Sequence, residues 1–218
     1  MAKIIAITGI DGSGKTTSAR NLQASLFEAG YDAAYQHQFN SIFARVVNAF
    51  RRPKASEARH AVTNPIQQSA TPVGKPARAS SMKKLAAHLM LTLLAIRANK
   101  VRFSGRDYLV FDRYFYDDFV RLHQRYGVSE GFFRLLEPMV PRPALLVNLE
   151  ANARTTYDRQ VDVDSSFEKY SEKLGLHGEM IAKLDQMGLN TISIDTGNAD
   201  KAQVIARIES ALGKGSAG

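Results

Sequence analysis

Five short apolar runs punctuate the chain, at 3–8, 31–38, 108–112, 143–149 and 190–195, and longer stretches with helical spacing separate them. Runs this short, bounded by turn residues, predict strands; the near-continuous Tyr108-Leu109-Val110-Phe111-Asp112 predicts one covered on both faces. Helices are predicted at 16–28, 41–50, 82–103, 114–126, 129–137, 165–187 with a break near Gly175, and 199–212. In the third of these, Leu85, Leu89, Leu93 and Ile96 recur at helical spacing, and Leu91 and Leu94 widen the stripe, which predicts a helix buried on more than one side. Ser129 is placed to cap the fifth helix, and Pro138 to close it. Strands that alternate with helices predict an α/β fold, a parallel sheet covered on both faces.

The first strand runs directly into Gly9-Ile10-Asp11-Gly12-Ser13-Gly14-Lys15-Thr16-Thr17, a complete G-x-x-x-x-G-K-T phosphate-binding loop opening a helix. Glycines let such a backbone curl with its N–H groups inward, and the helix N-terminus favours anions. Lys15 is expected to reach the β- and γ-phosphates of ATP and Thr16 to ligate Mg²⁺, with Gly9, Asp11, Gly12, Ser13, Gly14 and Thr17 completing the ATP-binding loop. The fold class sharpens accordingly to a P-loop NTPase: three layers, α/β/α, around a five-stranded parallel sheet, with a short lid.

At 218 residues with 44% hydrophobic content, one domain over residues 1–212 accounts for the chain, with a frayed tail at 213–218. The chain has no cysteine, which removes disulfides and thiolate metal sites and fits a reducing cytoplasm. A strand beginning at Lys3 leaves no room for a signal peptide, and the longest apolar stretch is too short for a bilayer, so a cytoplasmic protein without membrane contact is expected. Of the net charge of +8, residues 51–100 carry ten Lys or Arg against one acid, Glu57. Within that region, residues 51–81 hold four prolines and many Ala, Ser, Thr and Gln, the composition of a mobile insertion near an anionic substrate. No aromatic lies between Phe50 and Phe103 on which bases could stack, so nucleic acid is not the expected partner.

Asp112 ends an apolar strand where a Walker-B carboxylate belongs, able to hold Mg²⁺ or take a proton, and Arg113 follows with a bidentate donor. The phosphate-binding loop together with Asp112-Arg113-Tyr114 resembles the thymidylate kinase family of P-loop kinases, over most of the chain. That resemblance implies that Asp11, Arg97 and Arg113 contact the acceptor nucleotide, that Phe39 stacks on its base, and that 151–167 forms a lid. The phosphate loop has no arginine, so Arg154 and Arg159 are the candidates to stabilise the migrating phosphoryl group from that lid. The sequence departs from the family pattern at Gln38-Phe39-Asn40-Ser41 and at Phe115-Tyr116-Asp117-Asp118-Phe119, so the thymine-reading residues are not matched. Arg45, on the helix at 41–50 facing the basic insertion, reads equally as a replacement for a missing phosphate contact and as a surface residue.

The expected activity is ATP- and Mg²⁺-dependent phosphoryl transfer to a deoxynucleoside monophosphate such as dTMP, with Lys15, Asp112, Arg113, Arg154 and Arg159 as catalytic residues. Transfer to a sugar or other metabolite hydroxyl, with Asp112 as base, is the alternative; it gains if Asp117 and Asp118 face the cleft rather than forming a solvated helix face. An ATP-binding switch or interaction module, and a nucleic-acid end kinase, complete the set. The family is often dimeric, and a homodimer through the helix at 82–103 is compatible with the pattern.

Overall fold

The computed structural model describes residues 2–37, 81–158 and 167–214. The expectations for a helix at 41–50, for Phe39, Arg45 and Arg159, and for the basic insertion up to residue 80 lie outside these residues.

Strands β1 (Lys3–Gly9), β2 (Ala33–His37), β3 (Tyr108–Asp112), β4 (Leu145–Glu150) and β5 (Thr191–Asp195) form one parallel sheet in the order β2-β3-β1-β4-β5. The helices are α1 (Lys15–Glu28), α2 (Ser81–Lys100), α3 (Phe115–Tyr126), α4 (Glu130–Leu136), α5 (Ala153–Asp158), α6 (Phe167–Gln186) and α7 (Lys201–Lys214). This is the expected three-layer α/β/α arrangement. Because side chains alternate along a strand, β1 feeds two cores. Ile4 and Ala6 join Leu109, Phe111 and Leu146 under α2, α3 and α6, while Ile5 and Ile7 join Val110, Val147 and Ile194 under α1 and α7.

Ser129 caps α4 as expected, its Oγ accepting from Phe132 N at 3.2 Å. Three expectations change. Helix α6 runs unbroken through Gly175 and Gly178, since an isolated glycine costs about 1 kcal/mol and removes no hydrogen bond. Helix α7 continues to Lys214, two residues into the expected tail. The third change concerns α2: only one side is buried, by Ala87, Met90, Leu91, Leu94 and Ala98, whereas Leu85 and Leu89 are 71% and 59% exposed and Met82, Leu93 and Ile96 stand out with them. The periodic stripe was real, but it lies on the side away from the core. Among the described residues no helix is long and apolar enough to cross a membrane.

Candidate active site

The parallel order puts the C-terminal ends of β1, β2 and β3 side by side, with Ile7 and His37 both in register with Asp112. Ligand sites of α/β sheets lie at this edge. Between β1 and α1 the chain turns through Gly9, Gly12 and Gly14, at φ 145°, 86° and 88°. A Cβ on Gly9 would come within 2.6 Å of the Leu149 carbonyl oxygen, and one on Gly12 within 2.5 Å of that of Thr156. Glycine is required there by neighbouring backbone as well as by torsion. At the start of α1, Lys15 folds back and donates to the carbonyl of Ile10. It is 5% exposed; burial, then the nearby Arg113 guanidinium, pushes its ammonium pKa down to about 8 against the pull of Asp11, Asp117 and Asp112.

Asp112, fully buried at the tip of β3, gathers three neighbours on one oxygen. Its Oδ2 accepts from Thr16 Oγ1 at 2.6 Å and Tyr35 OH at 3.2 Å, and meets His37 Nδ1 at 2.9 Å. Burial and the Asp112 carboxylate raise the Tyr35 pKa, keeping that hydroxyl protonated as a donor. The other oxygen, Oδ1, is buried without a hydrogen-bond partner among the described residues. An orphaned carboxylate oxygen beside a threonine hydroxyl fits a Mg²⁺ site. Among the described residues no group of three His, Cys, Asp or Glu could hold a metal alone, so phosphates and water would have to complete its shell.

Arg113 is the single non-glycine residue at positive φ (71°) among those described. Its N–H donates to the Ile7 carbonyl at 2.9 Å, which holds the unusual turn, and its guanidinium donates to Asp11 Oδ1. On the other side of that carboxylate, Lys173 Nζ from α6 donates to Oδ2 at 2.7 Å, and Tyr170 OH donates to the Asp11 carbonyl at 2.9 Å. Burial alone would raise the Asp11 pKa, but Arg113, Lys173 and Lys15 together hold it well below the carboxylate range. Burial likewise opposes the charge on Arg113, and Asp11, Asp117 and Asp112 overcome it.

Asp11, Gly12, Gly14, Lys15, Thr16, Thr17, His37, Asp112 and Arg113 thus surround one cavity of about 190 Å³. Gly9 and the fully buried Ser13 shape the loop from behind. Two expected residues stand elsewhere: Arg97 is exposed in the last turn of α2, and Arg154 is exposed on α5 with its guanidinium 5.7 Å from the Phe167 ring centroid. Neither lines this cavity. Asp117 and Asp118 do not form a solvated face, and neither lines this cavity. Asp117 accepts from Thr8 Oγ1 at 2.6 Å and from Tyr114 N at 2.9 Å, capping α3, and the buried Asp118 accepts from Arg121 Nη2 at 2.6 Å. Spacing along the helix records the Asp118–Arg121 pair, three residues apart, but not the bond from Thr8 to Asp117, because Thr8 comes from β1. Tyr35 and Lys173 were not individually legible: β2 carries no motif, and Lys173 reads as one more charge on an amphipathic helix.

No family model matches the sequence, and no curated protein matches it. Solved structures do. The thymidylate kinase of Ehrlichia chaffeensis superposes with a TM-score of 0.57 at 16% identity, over 97% of this chain and 98% of its own. The fold is that of the P-loop kinases. The Bacillus subtilis YorR protein, solved in complex with phosphorylated GDP, is similar at TM-score 0.55 and 18% identity over 96% of this chain and 95% of its own. A deoxyadenosine kinase from M. mycoides, solved with dCMP and a flexible dCDP, is similar at 0.50 and 16%, over 97% and 98%. Within this kinase fold, the cavity lies where the phosphate-binding loop meets the ends of β2 and β3.

Proposed function

We propose that this chain is an ATP- and Mg²⁺-dependent kinase that phosphorylates a deoxynucleoside monophosphate, with dTMP the first acceptor to try. The observation that carries the reading is the convergence of Lys15, Thr16, Asp112 and Arg113 on one cavity. Thymidylate kinase among the structural neighbours supports a nucleotide acceptor, while deoxyadenosine kinase, solved with dCMP as a product, supports the alternative of a nucleoside hydroxyl. The loop N–H groups and Lys15 would hold the β- and γ-phosphates, and Arg113 would orient the acceptor phosphate in line with them. Bound between Thr16 and Asp112, Mg²⁺ would neutralise charge on the β- and γ-phosphate oxygens. Arg154 and Arg159 would reach the migrating group by closure of the segment at 151–167, Arg97 and Phe39 would contact the acceptor, and the cytoplasm would supply both nucleotides.

Coupled ADP release across nucleoside monophosphates, nucleosides and sugars, with Lys15→Ala as the blank, tests this. Selective turnover of dTMP or another monophosphate supports the reading. Selective turnover of a sugar or nucleoside transfers the protein to hydroxyl kinases, and silence with intact ATP binding favours a nucleotide-binding module.

The exposed stripe of Met82, Leu85, Leu89, Leu93 and Ile96 supports a homodimer in which α2 packs against its own copy. Leu85→Glu with Leu89→Glu is expected to halve the mass measured by sedimentation; an unchanged mass removes this interface.

A further inference from the structure

Two cations from distant parts of the chain grip one carboxylate at the mouth of the cavity. Arg113 comes from the end of β3, Lys173 from the middle of α6, and they take the two different oxygens of Asp11. Lys15 adds a third positive charge close enough to lower the Asp11 pKa with them. Asp11 is itself 44% exposed and lines the cavity, and Lys173 is 40% exposed, so this cluster is open to an incoming anion. A carboxylate held by a guanidinium and an ammonium has the charge and donor geometry of a bound phosphate.

We infer that Lys173 is the second cation of an acceptor-phosphate seat shared with Arg113, and that the acceptor is a phosphomonoester dianion. The inference rests on the kinase reading above and narrows it: a phosphate can take the place of the Asp11 carboxylate on both cations, which a neutral sugar hydroxyl cannot do. Asp11 neutralises the pair. When the acceptor enters, Lys173 and Arg113 turn to its phosphate, and Asp11 is left to accept from a neighbouring hydroxyl. In transfer, an unprotonated oxygen of that phosphate donates the electron pair of the new bond to the γ-phosphorus. The bond from the γ-phosphorus to the β,γ-bridging oxygen breaks, and its pair leaves with ADP; no proton has to be removed from the acceptor. Lys173 counters the charge brought together as the two anions approach. Tyr170, one helical turn before Lys173, pins the same loop without carrying charge, donating to the Asp11 backbone.

Calorimetric binding of dTMP, dAMP and thymidine, together with steady-state turnover, tests this on the wild type, Lys173→Ala, Lys173→Arg and Tyr170→Phe. A hydrogen bond to a charged partner predicts that Lys173→Ala weakens monophosphate binding about 10- to 100-fold, leaves ATP binding unchanged, and is largely rescued by arginine. Thymidine, lacking the phosphate, is expected to bind no more weakly to Lys173→Ala than to the wild type. Monophosphate affinity that is unchanged in Lys173→Ala, or lost equally in Tyr170→Phe, overturns the seat even where the wild type is an active kinase. Lysine-dependent monophosphate binding without turnover leaves the seat standing and overturns the kinase reading. A wild type that binds and phosphorylates only uncharged acceptors overturns both.

Discussion

Thr16 and Asp112, 96 residues apart, meet through a 2.6 Å hydrogen bond from Oγ1 to Oδ2. The bond joins the first turn of α1 to the tip of β3 and leaves Asp112 Oδ1 buried and available to a cation. Asp112→Asn preserves the shape of this junction but removes its charge. Turnover is expected to fall roughly 10²-fold or more, while ATP binding without metal is retained. A Mg²⁺ titration of turnover against calorimetric ATP binding in chelator checks this; an unaltered metal requirement would remove Asp112 from the cation site.

Arg113 combines a needed side chain with a left-handed backbone. Alanine removes the guanidinium and keeps the strain, whereas glycine removes both, so Arg113→Gly is expected to be more stable than Arg113→Ala by about 1 kcal/mol in urea denaturation. Both are expected to lose transfer by roughly 10²-fold or more. Equal stabilities would mean that the turn relaxes without strain.

The loop glycines differ in what they face. A Cβ on Gly14 meets nothing within 4 Å, while one on Gly12 runs into the Thr156 carbonyl. Gly14→Ala is therefore expected to lose only about 1 kcal/mol, from backbone strain. Gly12→Ala must also displace α5, and a larger loss of stability and of ATP affinity is expected. Thermal melts with and without ATP separate the two.

Lys15 sets a pH dependence whose sign is definite. Its pKa in the folded chain, about 8, lies below its ordinary value of 10.5, so between these values the unfolded chain holds the extra proton. The contribution of this group to stability therefore rises with pH from about 8 to about 10.5. Lys15→Met should be more stable than wild type at neutral pH, and its stability should lack that rise. Phosphate favours the charged lysine, so ATP binding near pH 8 should take up a proton in the wild type and less in the variant, measured calorimetrically in buffers of different ionisation heat.

Local pattern carried much of this architecture. The β1 to α1 junction, the buried strand ending in Asp112, the Ser129 cap and the five-stranded sheet all follow from short-range rules: apolar runs, glycine torsions and side chains that cap their own helix. Arg113 was legible because it adjoins Asp112 in the sequence.

The set of elements and the phosphate-binding loop are therefore written locally along the chain, since a strand, a turn and a helix N-terminus are specified by neighbouring residues. Tertiary structure alone decided which side of α2 meets the core, because two apolar stripes on one helix compete and the sheet selects Leu91 and Leu94 over Leu85 and Leu89. It also decided the company of each charged group. Asp117 meets Thr8 and Asp11 meets Lys173 across 109 and 162 residues, distances at which no periodicity along the chain records the partner.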